Sequence, residues 1–364
     1  MILNANPNLE NKIFSKEIKK KISKVIKSGR YILGNEVKNF ERKFSNFIGS
    51  KYAVGVNSGT DALIIALKTL GVSKGDEVII PSISASATAI AVKNVGAKIV
   101  YADLDLDSYN LSATTIKSKI SKKTKVIIVV HLHGLSADIT SIKKMIRNKN
   151  IKIIEDCAQS HGSKLNKKYT GSLGDIGCFS FYPTKNLNCI GDGGAITTSN
   201  KKFYNLAKQI REYGWANRDD SKILGINSRL DEIQAAILNI KLKKLKFLNN
   251  QRRKIAKKYF TNITKSKKII LPKFNKIDNH VFHHFVVRLE NINRSELIRS
   301  FFKKGIQILV HYKKPLFGQD ALQAGSIKLS NASKIAKNII SLPIYPNLKN
   351  QDIKRVYREL NKYA

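Results

Sequence analysis

Acidic side chains are in short supply in this chain: 26 Asp and Glu stand against 66 Lys and Arg, a formal net charge of +40 over 364 residues. An excess of that size attracts polyanions without sequence preference. The lysines, however, are spread over the whole length, mostly on the faces of expected helices, and no nucleic-acid-binding motif accompanies them. They read as solvated surface with no specific nucleic-acid partner, and their sign favours capture of a diphosphate-bearing substrate. Cysteine is sparse as well. Cys157, Cys178 and Cys189 show no paired spacing, which argues against a disulfide framework. Cys157 and Cys178 stand in apolar, strand-like contexts, where a buried thiol acts as a small hydrophobe more often than as a nucleophile. Long hydrophobic runs are missing: no stretch approaches a membrane span, and Met1-Ile-Leu-Asn-Ala-Asn6 lacks the apolar segment of a secretory signal. The expectation is a reduced, cytoplasmic protein that makes no use of a membrane.

What remains is ordinary for a globular chain, 42% hydrophobic and 25% charged, with enough length for two domains or one large α/β unit. Ser15 to Lys27 carries Ile18, Ile22 and Ile26 at helical spacing, and Asn35 to Phe47 does the same with Val37, Phe40, Phe44 and Phe47. A helix over Ala62 to Leu70 opens an alternating series. Strand-like runs at Glu77–Pro81, Ile99–Ala102, Val126–His131 and Ile151–Glu155 are interleaved with helical periods around Ala87–Asn94 and near Ile142. Phe179–Tyr182 and Ala195–Thr198 add two more strands. Such alternation predicts a large, mostly parallel sheet covered on both faces. A long lysine-studded helix is expected from Arg229 toward Tyr259. Beyond it Val281–Arg288, Ser295–Lys304 and Ile306–His311 suggest a smaller α+β unit with an antiparallel sheet. No Pro/Gly-rich linker separates the two, so the division, residues 1–245 and 246–364, rests on the change of pattern alone.

Chemistry concentrates at a few points. Lys185 follows the apolar run Phe179-Ser-Phe-Tyr-Pro-Thr, sits in a tight turn, and is trailed by Gly191-Asp-Gly-Gly194, whose glycines permit close backbone approach. Upstream, Ile151-Lys-Ile-Ile-Glu-Asp156 is a strand that ends in a carboxylate, with the amide of Gln159 just behind it. The C-terminal ends of strands are where open α/β sheets bind ligands. Asn57-Ser-Gly-Thr-Asp61 is a small turn opening a helix, a site whose N–H groups and dipole suit a phosphate. The same motif serves equally as a capped helix start, and it is no P-loop, because no Gly-Lys-Ser/Thr follows. Taken singly, Asp156 reads as a turn cap and Lys185 as an exposed loop lysine. Together, lysine, aspartate and anion-binding turn are what pyridoxal phosphate (PLP) chemistry needs: an amine for the Schiff base, an acid against the pyridine nitrogen, and donors such as Ser180 for the phosphate. His131 and His133, two apart at a strand end, and the adjacent His283 and His284 lack a third ligand at matching spacing, so no metal is expected. His283 and His284, if in a strand, point to opposite faces.

These segments together resemble the DegT-type nucleotide-sugar aminotransferases, fold-type I PLP enzymes, over nearly the whole chain. The likeness runs through Tyr31-Ile-Leu-Gly-Asn-Glu-Val37, Val54-Gly-Val-Asn-Ser-Gly-Thr-Asp-Ala-Leu63 and Gly75-Asp-Glu-Val-Ile-Ile-Pro-Ser82. It continues in Glu155-Asp-Cys-Ala-Gln-Ser-His-Gly162, in Gly174 through Asn186 to Gly194, and in Gly225-Ile-Asn-Ser-Arg-Leu-Asp-Glu-Ile-Gln-Ala-Ala236. The resemblance implies that Lys185 carries the Schiff base, Asp156 faces the pyridine nitrogen and Gln159 contacts the ring hydroxyl. It implies that Ser180 and the Gly59-Thr60-Asp61 turn hold the phosphate, joined by Asn227 from a neighbouring subunit of a homodimer. It further places His161 near the cofactor as a third catalytic residue beside Lys185 and Asp156, and Tyr182, His311 and Tyr312 on the substrate side. Two departures stand out. The aromatic residue that members often place over the cofactor is here Ala85, leaving Thr88 as the nearest alternative cover, and the family's His-Tyr-Pro is His311-Tyr-Lys-Lys-Pro315. Related sugar dehydratases carry histidine at the lysine position, so retention of Lys185 implies transamination.

The expected activity is PLP-dependent transfer of an amino group, with L-glutamate as donor, to a 3- or 4-keto, 6-deoxy sugar of a nucleoside diphosphate, for polysaccharide or amino-sugar biosynthesis. Two rivals share the cofactor: a DNA-binding regulator, against which the lack of a helix-turn-helix counts, and a lyase acting on sulfur amino acids.

Overall fold

Alternating short apolar runs and amphipathic helices build one large sheet with a smaller one behind it. In the computed structural model, which describes residues 1–323 and 327–364, α1 (Pro7–Ser28) and α2 (Asn35–Ile48) come first. Then follow β1 (Tyr52–Val56), α3 (Gly59–Thr69), β2 (Glu77–Pro81), α4 (Ser86–Asn94), β3 (Lys98–Ala102), α5 (Ala113–Lys117), β4 (Thr124–Val130), α6 (Ile139–Met145) and β5 (Lys152–Asp156). A hairpin of β6 (Lys164–Leu165) and β7 (Lys168–Tyr169) precedes β8 (Ile176–Ser180), β9 (Gly194–Thr198) and α7 (Lys201–Arg211). A second hairpin, β10 (Trp215–Asn217) and β11 (Asp220–Ser221), leads to α8 (Glu232–Leu242) and α9 (Leu245–Asn262). The remainder is β12 (Ile269–Ile270), β13 (Phe285–Leu289), α10 (Arg294–Lys303), α11 (Ser330–Asn338), β14 (Ile339–Leu342) and α12 (Asn350–Asn361).

The large sheet has the order β1-β9-β8-β5-β4-β2-β3. Strands β3, β2, β4, β5 and β8 pair in parallel, and β9 runs against both β8 and β1. This is the mostly parallel α/β sheet that the alternation predicts. Its central strands are buried on both faces, which is why Val78-Ile-Ile80 and Val126-Ile-Ile-Val129 read as unbroken apolar runs. The small antiparallel sheet β12-β13-β14 packs through Phe285, Val287, Ile340 and Leu342 against Leu297 and Phe301 of α10 and Val356 of α12. Ile2 joins this second core and pairs with Ile306. Cys157, Cys178 and Cys189 are all buried and free, and burial pushes each thiol above its ordinary value.

Five stretches differ from expectation. Helix α1 begins at Pro7, eight residues early, because Asn6 accepts a hydrogen bond from Leu9 N–H and proline fits the first helical position; within it Ile26 is exposed and Val25 is buried. The long helix from Arg229 is two helices: α8 and α9 meet at a turn in which Lys244 N–H donates to Lys241 O, with no proline or glycine to announce it. Strand β8 ends at Ser180, so Phe181 and Tyr182 already belong to the lysine turn. In the second core, Val281–His284 and Ile306–His311 are not strands. Phe282 has φ of +47°, which ends the extended run before β13, and the third strand is β14.

One long-range contact fixes α2. Its N-cap, Gly34, has no side chain, and Glu232 of α8 supplies the cap: its carboxylate accepts from Glu36 N–H at 2.9 Å and Val37 N–H at 2.8 Å. A Cβ on Gly34 would stand 2.7 Å from that carboxylate and would push it off the helix terminus. Replacing Glu232 by alanine removes the cap and should cost about 1–2 kcal/mol. Guanidinium unfolding of the two proteins measures this, and an unchanged midpoint contradicts the capping role.

Candidate active site

The chemistry-bearing residues meet where the parallel strands end. Asp156 is the last residue of β5, Ser180 the last of β8, and Gly59 the first of α3, which follows β1. Lys185 lies in the turn after β8, its N–H donating to Tyr182 O at 2.9 Å. Phe181 N–H to Gly193 O and Cys189 N–H to Phe181 O, both 2.7 Å, close the segment back onto itself.

Close approach of α3 to the sheet makes the anion cradle. Ser58 caps the helix by accepting from Asp61 N–H at 3.1 Å. The N–H groups of Gly59 and Thr60 lie in the first turn, where no intrahelical acceptor exists. A Cβ on Gly59 would come within 2.6 Å of the Ser180 Cβ, and one on Gly194 within 2.3 Å of Ser58 O. Glycine at both places therefore lets the helix terminus sit against Ser180. Asp61 does not face outward with them. Its carboxylate accepts from Ser228 Oγ at 2.7 Å, and Ser228 Oγ in turn accepts from Asn57 N–H at 3.0 Å. A carboxylate aimed at a phosphate would repel it, so Asp61 buttresses the turn from behind and takes no direct part in the cradle. Asn227, beside Ser228, is exposed.

Asp156 is buried, and each of its oxygens accepts one hydrogen bond: Oδ1 from Ala158 N–H at 3.1 Å and Oδ2 from Thr88 Oγ1 at 3.0 Å. Burial pushes its carboxyl above the ordinary value, opposed by those two donors and the charge of Lys185. Burial likewise lowers the Lys185 amine to about 8, and the Asp156 charge resists the fall. Thr88, expected as cover for a ring, instead commits its hydroxyl to Asp156 and Ser84. Gln159 accepts from His133 N–H at 2.6 Å and donates through Nε2 to the Tyr312 hydroxyl at 3.0 Å, which leaves one amide hydrogen to offer.

Imidazoles form one wall of the site. The His284 ring stacks on His311 with centroids 3.8 Å apart and planes 10° off parallel, and it lies 4.1 Å from His283. These two neighbours, expected on opposite faces of a strand, lie side by side because the strand begins only at Phe285. His283 Nδ1 meets Asn186 Oδ1 at 3.1 Å, His311 Nδ1 meets Ser341 Oγ at 2.9 Å, and His133 Nδ1 lies 3.4 Å from His284 Nδ1. Burial and the charge of Lys185 lower His161 to about 3 and His311 to about 4, and hold His283 and His284 well below the ordinary value. The His161 ring lies against Phe179 and Phe181, and burial and the Lys185 charge favour its neutral form. Tyr182 is exposed at the mouth. His131 is committed elsewhere. Its Nδ1 accepts from Ala137 N–H, so Nε2 donates to Glu155 at 2.9 Å, and Glu155 also accepts from the N–H groups of Gly171, Leu173 and Gly174. His131, Glu155 and Cys157 converge, but this saturation of the carboxylate gives a structural knot.

A helix terminus brought against Ser180, a buried carboxylate, and an amine made easy to deprotonate fit a phosphorylated pyridine aldehyde. The large parallel sheet with this site at its strand ends defines a fold-type I, PLP-dependent aminotransferase. The chain belongs to the DegT/DnrJ/EryC1/StrS aminotransferase family, whose profile matches residues 12–361. It is 42% identical over 357 residues, 97% of each protein, to dTDP-3-amino-3,6-dideoxy-alpha-D-galactopyranose transaminase of Aneurinibacillus thermoaerophilus. Among solved structures it is similar to DesV of S. venezuelae, with TM-score 0.95 and 34% identity over 100% of this chain and 98% of that one. NtdA of Bacillus subtilis, solved with the cofactor PMP bound, matches with TM-score 0.90 and 29% identity over 96% and 81%.

The lowered amine gives a pH signature. Only neutral lysine attacks an aldehyde, so PLP uptake by the cofactor-free chain should accelerate with pH about a midpoint near 8, well under the usual 10.5. Asp156→Asn removes the charge that holds the proton on, and the midpoint should fall further. Stopped-flow absorbance across pH reports both, and a wild-type midpoint at the usual lysine value contradicts the desolvation argument.

Proposed function

We propose that this chain transfers an amino group from L-glutamate to a keto sugar carried on a nucleoside diphosphate, supplying amino sugar for a polysaccharide or glycosylated product in the cytoplasm. The observation that carries the reading is the convergence, at the ends of the strands, of half-buried Lys185 in the turn after β8, the buried Asp156 carboxylate that ends β5, and the α3 terminus packed against Ser180. The activity named for the Aneurinibacillus relative favours a keto group at C3 of a 6-deoxy sugar over one at C4. The positive charge of the chain suits a diphosphate-bearing substrate.

PLP, when bound, supplies the electron sink that lets an amine pass between a donor and a carbonyl acceptor. The chain's own residues do the rest. Gly59, Thr60 and Ser180 offer donors to the phosphate. Asp156, held by Thr88 and Ala158, keeps a negative charge available to a protonated ring nitrogen. The spare Nε2 hydrogen of Gln159 serves a ring hydroxyl, with Tyr312 fixing the amide's direction. Lys185 Nζ accepts a proton and returns it, for which an amine near 8 is well matched at neutral pH. His161 packs as a neutral wall. Tyr182, His311 and Tyr312 border the substrate side.

A homodimer completes this reading. Asn227 is exposed, Leu224 three residues earlier is 85% exposed, and Tyr182 and Ile190 on the lysine turn are exposed apolar side chains. Such a surface suits a partner subunit, to whose phosphate Asn227 would reach. Asn227→Ala should weaken PLP retention about tenfold, the worth of one good hydrogen bond, read by the absorbance of released cofactor on dialysis, and unaltered retention argues against the shared site.

The decisive experiment is a panel of nucleotide-linked 3-keto and 4-keto sugars with L-glutamate. The purified protein should be yellow, lose its visible absorbance with glutamate, aminate a 3-keto substrate, and do none of this as Lys185→Ala. Sulfide or pyruvate released from cysteine would replace this reading with a lyase, and salt-sensitive, sequence-selective DNA binding without turnover would replace it with a regulator.

A further inference from the structure

Asn188, three residues beyond Lys185 and 2% exposed, has both polar atoms of its side chain committed. Its Nδ2 donates to the carbonyl oxygen of Lys185 at 2.8 Å and to Glu10 Oε1 at 3.0 Å. Its Oδ1 accepts from Lys241 Nζ. Lys241 Nζ also donates to Asn11 Oδ1 at 2.6 Å and stands 3.8 Å from Glu10 Oε1, with the two charged side chains 1% and 5% exposed. Helices α1 and α8 thus bring an ammonium to the oxygen end of this amide and a carboxylate to its nitrogen end. A flipped amide would face both charges with the wrong pole, so only one orientation is allowed.

A buried ion pair rarely adds net stability over apolar residues of the same volume. Its value in this place is directional. We infer that Lys241 and Glu10 are positioning residues for Lys185: by fixing the Asn188 amide they hold the lysine's carbonyl, and with it the turn that presents the amine to Asp156. The residue next to the lysine is gripped independently. Asn186 donates to Asn249 Oδ1 and Val281 O and bonds His283 Nδ1. Releasing the Asn188 side lets water reach an amine whose proton affinity burial has reduced.

The inference rests on Lys185 as the PLP-bearing lysine, and the test keeps the two apart. Asn188→Leu cuts the link and leaves Lys241 and Glu10 free to pair. The double variant Lys241→Met with Glu10→Gln removes both charges and keeps Asn188. PLP itself is the probe: its uptake by the full-length, cofactor-free chain is followed against pH, beside the thermal midpoint. Both variants are expected to raise the pH midpoint of uptake by about one unit, a tenfold change in proton affinity, and so to slow uptake at pH 7 about tenfold. Unchanged pH midpoints overturn the inference, whatever happens to thermal stability. Should the double variant not fold, Asn188→Leu alone decides. Wild-type uptake and spectrum in Lys185→Ala would instead overturn the functional reading.

Discussion

The site depends on two opposite charges withdrawn from water, Asp156 almost wholly and Lys185 in part. Lys185 and Asp156 each suffer from burial in the direction that discourages ionisation, and each is partly restored by the other. Removal from water makes the amine a usable nucleophile near neutrality, and the nearby carboxylate keeps its proton within reach. The surrounding scaffold serves this balance. Thr88 and Ala158 fix the carboxylate, Asn186 and Asn188 fix the lysine turn, and the strand ends of the large sheet bring the two segments together.

Around that pair the protein spends neutral groups in place of further charge. Four imidazoles, His161, His283, His284 and His311, feel the lysine and are kept unprotonated by burial and by its charge. A cationic neighbour would depress the amine further and draw the aspartate away. The one carboxylate beside Asp156 in sequence, Glu155, is sealed off by four N–H donors and so does not compete for the lysine.

Much of this was legible in the residues, for identifiable reasons. The parallel strands announce themselves because burial on both faces demands unbroken apolar runs such as Val126-Ile-Ile-Val129. Gly59, Asp156 and Lys185 stand at strand ends and turns, where local pattern and ligand position coincide. Less visible were features set by distant contacts. The helix break at Lys243–Lys244 has no breaker residue, and the Asn6 cap lies ahead of the first apolar period. Asp61 looked like a phosphate ligand because its N–H belongs to the helix turn, but its side chain answers to Ser228, 167 residues away. Thr88 gave a weak signal, a hydroxyl four residues after Ser84 on a helix, and its partner Asp156 is 68 residues further on. His283 and His284 were misplaced because one left-handed residue, Phe282, stops the strand pattern where the sequence shows no interruption.

The interior placement of the cysteines has a practical side. Three thiols that are buried and reluctant to ionise offer nothing for maleimide dyes or spin labels to seize under mild conditions. Two cysteines engineered onto outer helices would therefore be the sole attachment points, and fluorescence or electron-spin distances between them become measurable without first stripping the native sequence of sulfur.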